Sequence, residues 1–221
     1  MITEGIPPSI IESAAKQLGF PLGPIQLVDE TSIELGAKIA RATRAAMGKS
    51  YPNDQIDEIL FWMEDNGRLG RKAKAGFFNY NENGKREGFW TGLEEKYPIS
   101  KTIPHLTEVQ HRLMFIQALE AVRALEEGVL MDIREGDVGA VLGWGFAPWS
   151  GGPLSWLDIL GTPYAAERSQ ELCNTYGPRF DCPPLLADMG KNNEAFYERF
   201  LPEKLDTVSY THLRAHETRT Y

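Results

Sequence analysis

Apolar residues recur at helical spacing through most of the chain, and the punctuation between them is written twice. Pro7-Pro8 opens a short helix over 9–18 that Gly19 ends, following the preference for proline at the first turn and glycine beyond the last. Pro21-Leu22-Gly23-Pro24 is a rigid turn, and Pro24 starts the next helix. Thr31 followed by Glu34 reads as a capping box for a third helix through about Met47. Ile56, Ile59, Leu60 and Met63 stand at i, i+3, i+4 and i+7, one face of an amphipathic helix over 55–66 that Asn66-Gly67 stops. Gly76-Phe77-Phe78-Asn79-Tyr80 and the Asn83-Gly84 turn predict a small extended excursion. The polar stretch 81–110 reads as a connector.

A second series follows. Residues 111–127 place Leu113, Ile116, Leu119 and Val122 in a wide apolar stripe, which must be covered by something large. Further helices are expected over 137–142, 153–160 and 162–174, the last capped by Thr162-Pro163. An aromatic turn, 146–153, separates the first two. Strand signals are nearly absent, so the expected fold class is mainly α.

The two series repeat one pattern. Glu4-Gly5-Ile6, Leu18-Gly19-Phe20, Gly23-Pro24 and Asp29 reappear as Glu127-Gly128-Val129, Leu142-Gly143-Trp144, Gly152-Pro153 and Asp158, with a short insertion around 147–150. Duplication on this scale predicts two tandem copies of one helical unit. The second copy is preceded by a full helix, whereas the first begins almost at Met1. The expected organisation is a first unit over 1–80, truncated at its N-terminus, a connector over 81–110, a second unit over 111–207 and a tail over 208–221.

Length and charge narrow the function. A chain of 221 residues with 42% hydrophobic residues is long enough for a real core. Its net charge of −8 argues against a nucleic-acid or membrane-surface partner, either of which needs a basic face. No apolar run approaches the roughly 18 residues of a spanning helix, and the first residues lack the basic and apolar regions of a signal peptide. A cytoplasmic protein is expected, with Cys173 and Cys182 as free thiols because they fit no metal or redox spacing. Val-Ser-Tyr-Thr-His-Leu-Arg-Ala-His-Glu-Thr, beginning at Val208, resembles the conceptual translation of a sequencing-library adapter. Read so, the tail has no selected function, and His212 and His216 are not metal ligands.

Candidate chemistry is sparse. His105 and His111 have no carboxylate nearby in sequence to orient them as a base, and they read as exposed linker histidines. Arg68, Arg71, Lys72 and Lys74 form a basic, glycine-containing loop. It is either a solvated surface or a grip for a phosphate-bearing ligand such as coenzyme A. Asp29 and Asp158 occupy matching positions, and repetition favours a structural cap over catalysis. Trp144, Phe146, Trp149 and Trp156 read as core, with an acyl slot as the rival. No G-x-G-x-x-G follows a strand, so nothing here grips a dinucleotide.

These strings resemble, in order and spacing, the C-terminal region of the 3-hydroxyacyl-CoA dehydrogenase family, most closely the tandem C-terminal domains of the multifunctional fatty-acid oxidation α-subunit. The likeness rests on Leu18 to Pro24 with Asp29, Gly70-Arg71-Lys72 with Gly76-Phe77-Phe78-Asn79-Tyr80, Gly143 to Gly152 with Trp156-Leu157-Asp158, and Tyr176-Gly177-Pro178-Arg179-Phe180 with Pro183-Pro184-Leu185-Leu186. It implies a parent enzyme of β-oxidation that oxidises the 3-hydroxyl of an acyl-CoA and passes hydride to NAD. The catalytic histidine–glutamate pair and the NAD domain lie upstream of the region matching Met1, so the isolated chain is expected to bind no NAD and to be inactive. The implied role is to close over the acyl-CoA beside that missing domain, with a thiolase β-subunit as a further partner. It points to Leu142, Gly143 and Phe146 as substrate contacts, Leu142 replacing a tyrosine of bacterial members, and to Arg71, Lys72 and Lys74 as a phosphate loop. The family pattern there is Lys-x-Gly-x-Gly-Phe, whereas this chain has Lys72-Ala73-Lys74-Ala75-Gly76-Phe77. The rival reading is a non-catalytic helical module that binds acyl-CoA or a partner protein.

Overall fold

A computed structural model describes residues 1–51 and 55–200, so the 208–221 tail with His212 and His216 lies outside the described residues. The described chain is mainly α, as its periodicity predicts. Its elements are α1 Pro8–Gln17, α2 Pro24–Thr31, α3 Ile33–Met47, α4 Gln55–Asp65, strands β1 Phe78–Tyr80 and β2 Arg86–Phe89, α5 Gly92–Lys96, and α6 Leu106–Glu126. Then come α7 Ile133–Trp144, α8 Pro153–Leu160, α9 Thr162–Tyr176, α10 Pro184–Asn192 and α11 Phe196–Arg199. Proline stands in the first turn of α1, α2, α8, α9 and α10, where its missing N–H would be unpaired in any case.

Helix α6 explains its own wide stripe by serving two cores. Val109 and Leu113 pack with Ile11, Ile25, Ile33, Met63 and Phe77. From the next residue on, Met114, Phe115, Leu119 and Val122 pack with Leu154, Leu157, Leu172 and Phe196. Phe115 meets Trp156 edge to face with centroids 5.0 Å apart. The remaining helices repeat one packing order: α1 on α2, α2 on α3 and α3 on α4, then α7 on α8, α8 on α9 and α9 on α10.

The repeat register needs one correction. Gly19 closes α1 in the left-handed conformation, φ 86°, and the residue doing the same for α7 is Gly145, φ 75°. Phe20 and Phe146, each following its glycine, meet edge to face at 5.8 Å. Trp144-Gly145-Phe146 is therefore the counterpart of Leu18-Gly19-Phe20, and Gly143 is an interior residue of α7.

Caps differ as well. Helix α3 is capped by Ser32, whose Oγ accepts the Leu35 N–H at 3.4 Å. The Thr31 hydroxyl instead donates to the Leu27 carbonyl at 3.0 Å. Thr162 does not cap α9: its hydroxyl donates to the Glu194 carbonyl at 2.7 Å, joining α9 to the loop before α11. The stretch 81–110 is more than a connector. Strand β2 pairs antiparallel with β1, Phe78 opposite Phe89. Trp90 stacks on Trp62 at 5.1 Å, and Leu93 is buried. Helix α6 starts at Leu106, five residues before His111, because His105 Nδ1 accepts the Thr107 N–H at 3.3 Å.

Candidate functional site

The most specific polar geometry is a set of four carboxylates that close helix and strand ends. Glu12 of α1 accepts the N–H groups of Ile25 at 2.8 Å and Gln26 at 3.1 Å, the unpaired donors of the first turn of α2. Asp137 of α7 does the same for α8, accepting Leu154 N–H at 2.8 Å and Ser155 N–H at 2.9 Å. Asp29 of α2 accepts Phe77 N–H, Phe78 N–H and the Tyr80 hydroxyl at 2.8, 3.0 and 2.9 Å. Asp158 of α8 accepts Phe196 N–H at 2.6 Å and Tyr197 N–H at 3.0 Å. Burial raises the pKa of Asp29 and of Asp158, and the donated N–H groups partly oppose it.

These carboxylates are occupied by backbone donors, so the structural reading of Asp29 and Asp158 holds. Glu12 and Asp137 were missed in the sequence, where their one signal is a place on the helix before each Gly-Pro. The glycines around them follow from the same crowding. A Cβ on Gly23 would sit 2.1 Å from Glu12 Oε2, and one on Gly76 would sit 2.2 Å from Asp29 Oδ1.

The basic loop separates into two kinds of residue. Arg68 is structural: Nε donates to the Gly76 carbonyl at 2.7 Å and Nη2 to the Phe78 carbonyl at 2.9 Å, while the guanidinium lies 4.6 Å from the Trp90 ring centroid. Arg71 is paired with Glu30 at 2.8 and 2.9 Å. Lys72 and Lys74 are exposed. Arg71, Lys72 and Lys74 border a shallow recess that also contains Glu30 and Glu82, so an anion entering it competes with two carboxylates. Lys74, at the position where the family pattern has glycine, keeps a left-handed φ of 58°.

The aromatic turn divides too. Phe146 is fully buried, whereas Leu142 is 80% exposed and Gly143 faces open space. The three residues therefore do not line one slot. Trp156 is core, but Trp144 and Trp149 are more than half exposed, with their ring N–H groups donated to Gln117 Oε1 at 3.3 Å and to the Leu18 carbonyl at 2.7 Å.

His105 is an exposed cap. His111 is not the exposed linker histidine expected: it is half-buried inside α6, and its Nδ1 accepts Arg168 Nε–H at 3.2 Å. Burial, then the Arg168 charge, lowers its pKa. Cys173 and Cys182 are free, and burial pushes the Cys182 thiol up to about 11. Among the described residues, no group of three or more His, Cys, Asp or Glu could hold a metal, and no helix is long and apolar enough to cross a membrane.

Residues 1–80 match the family model for 3-hydroxyacyl-CoA dehydrogenase, C-terminal domain. The fold resembles that of 3-hydroxybutyryl-CoA dehydrogenase from Escherichia coli K12, with a TM-score of 0.63 at 17% identity over 86% of this chain and 56% of that one. It also resembles the dehydrogenase part of multifunctional enzyme 1 from C. elegans, with a TM-score of 0.59 at 21% identity over 83% of this chain and 42% of that one. The chain thus spans about half the length of these proteins, and at such identities the likeness establishes fold alone. Residues 1–80 are thus similar to the 3-hydroxyacyl-CoA dehydrogenase C-terminal domain, and the helical fold of the described chain resembles that of these two dehydrogenases.

Proposed function

We propose that the chain is the helical, substrate-closing part of an NAD-dependent 3-hydroxyacyl-CoA dehydrogenase of the multifunctional type. In this reading the hydride and proton transfers belong to an NAD-binding domain carried outside these residues. The observation that carries it is the family match over 1–80, supported by the repetition of the carboxylate caps in a second copy. That repetition suits the tandem arrangement of a multifunctional enzyme. In this reading Lys72 and Lys74 meet the phosphates of coenzyme A; their exposure, on a loop where Gly70 pairs with Ala75, supports it.

The chemistry of the chain's own residues agrees. Asp29, Asp137 and Asp158 accept backbone N–H groups on both oxygens, Glu12 accepts two on Oε1 while its Oε2 has no hydrogen-bond partner, and His111 accepts from the Arg168 guanidinium. A general base needs a carboxylate-oriented imidazole within reach of the substrate hydroxyl. The test is an assay of the purified chain with a 3-hydroxyacyl-CoA and NAD, alongside calorimetry with the same acyl-CoA. No NADH and measurable acyl-CoA binding are expected. NADH formation overturns the assignment of the chemistry to another domain, and absence of binding overturns the substrate-closing role.

A further inference from the structure

The chain contains two Asn-Gly pairs, Asn66-Gly67 and Asn83-Gly84, and both asparagines are exposed. In such a pair the glycine nitrogen can attack the asparagine carboxamide carbon, because glycine has no Cβ to hold the two apart. The fold treats the two pairs differently.

Asn66 is locked into the end of α4. Its Nδ2 donates to the Trp62 carbonyl at 2.8 Å, which turns the carboxamide back onto the helix. Gly67 N–H donates to the Glu64 carbonyl and Arg68 N–H to the Met63 carbonyl, both at 2.9 Å, the paired closure of a helix C-terminus. Arg68 in turn holds the carbonyls of Gly76 and Phe78. Freeing the Gly67 nitrogen therefore undoes the end of α4 and the anchor beside it.

Asn83 stands at the tip of the β1–β2 hairpin, and its carboxamide hydrogen-bonds to no described residue. Gly84 holds φ 73°, with nothing within 4 Å of where a Cβ would be. The tip is held by Asn81 alone. Its carbonyl accepts Gly84 N–H at 2.9 Å, and its Oδ1 accepts the Asn83 and Lys85 N–H groups at 3.0 Å each. Releasing the Gly84 nitrogen is thus a local fraying of a loop, the least costly kind of opening in a folded chain. Charge acts in the same direction. Asn83 and Gly84 border the recess of Arg71, Lys72 and Lys74, which also contains Glu30 and Glu82. Three cations against two carboxylates favour the negative charge that the Gly84 nitrogen carries once it has lost its proton.

We propose that Asn83 is a site of spontaneous deamidation in the folded chain and that Asn66 is protected from it. The Gly84 amide proton passes to solvent base, the nitrogen bonds to Asn83 Cγ, and Nδ2 leaves as ammonia, closing a five-membered imide. Water then opens the ring at either carbonyl, giving aspartate or isoaspartate, with no oxidant or reductant involved. Either product puts a carboxylate in place of a neutral carboxamide, so the recess becomes less receptive to an anion as the protein ages. The isoaspartyl product also reroutes the backbone of the hairpin that sets Phe78 opposite Phe89. The modification itself is independent of the proposed activity.

The test ages the full chain in warm, mildly alkaline buffer and maps its peptides by mass spectrometry, with isoaspartate separated by chromatography. A second sample is aged in urea. In the folded chain Asn83 should convert several-fold faster than Asn66. In urea the two rates should converge, because the protection of Asn66 is then gone. An acidic form should accumulate on ion exchange and be missing from Asn83→Gln, whose longer side chain closes a ring less readily. Equal rates at the two pairs in the folded chain, faster conversion at Asn66, or an intact Asn83 overturns the proposal. A ratio of rates that urea leaves unchanged overturns it too, since the fold would then protect neither residue.

Discussion

Asp29 Oδ1 accepts the Phe77 N–H at 2.8 Å, a bond between residues 48 apart in sequence that ties α2 to the β1–β2 hairpin. The same carboxylate takes Phe78 N–H and the Tyr80 hydroxyl, so one side chain satisfies three buried donors. Asp29→Ala leaves all three unpaired in the core. We expect a loss of about 3 kcal/mol, near the top of the range for stranded buried donors. Asp158→Ala, which strands two N–H groups, should cost about 2 kcal/mol. Urea melts read both as lower midpoints at unchanged slope. Equal, negligible shifts would reject the capping role.

How much of this was legible beforehand follows from range. Proline and glycine act through their own backbone, so the starts of α1, α2 and α8 could be read within a residue. Strand β2, α5 and α11 depend on partners far away: Asp29 holds the hairpin and Asp158 holds the start of α11. Their own residues carry little periodicity. Gly143 and Gly145 look alike in sequence, and only the φ of 75° at Gly145 identifies the helix end. The candidate substrate contacts, taken from a resemblance, do not line one slot, because Phe146 is buried in the core and Leu142 is exposed.

Backbone conformation makes a prediction that runs against ordinary expectation. Lys74 holds φ 58°, a left-handed state that costs a side-chain-bearing residue about 1 kcal/mol. Lys74→Gly should therefore raise stability by up to about 1 kcal/mol. Gly143→Ala should do likewise, since Gly143 is helical and its Cβ would meet nothing within 4 Å. Gly145→Ala should be clearly destabilising, as φ is positive and the new Cβ would lie 2.5 Å from Pro21 Cγ. Thermal melts of the three variants decide between the two glycines as the true end of α7.

His111 gives stability a pH dependence. Its folded pKa lies below the ordinary 6.5, through burial and the Arg168 charge, with Glu108 opposing. Below about pH 6.5 the unfolded chain takes up a proton that the native state resists, so stability falls as pH drops toward the folded pKa. Above 6.5 this contribution is constant. Melting temperatures from about pH 7.5 to about pH 5 should decline, and His111→Gln, whose amide oxygen can still accept Arg168 Nε–H, should flatten part of that slope. An unchanged slope in the variant would assign the acid sensitivity to the carboxylates alone.

Arg112 joins three segments. It is 3% exposed, donates to both carboxylate oxygens of Glu4 at 2.7 Å, and lies 3.8 Å from the centroid of the Tyr176 ring. Burial pushes the Glu4 pKa up, but the Arg112 hydrogen bond and the neighbouring positive charges outweigh it, and the net shift is downward. A lowered carboxylate pKa means stability present above 4.5 and lost as pH falls through the folded value. Glu4 also pairs with the Met1 ammonium at 3.2 Å, so Arg112 is the partner stranded by removal of the other: Glu4→Leu leaves a guanidinium buried whose Nε already has no acceptor. We expect that variant to lose about 3 kcal/mol. The double variant Glu4→Leu, Arg112→Leu should lose distinctly less than the two single losses added together, because no buried guanidinium is then left without its carboxylate. A double-mutant cycle by chemical denaturation measures the difference, and strict additivity would mean that the pair does not hold the first turn to α6.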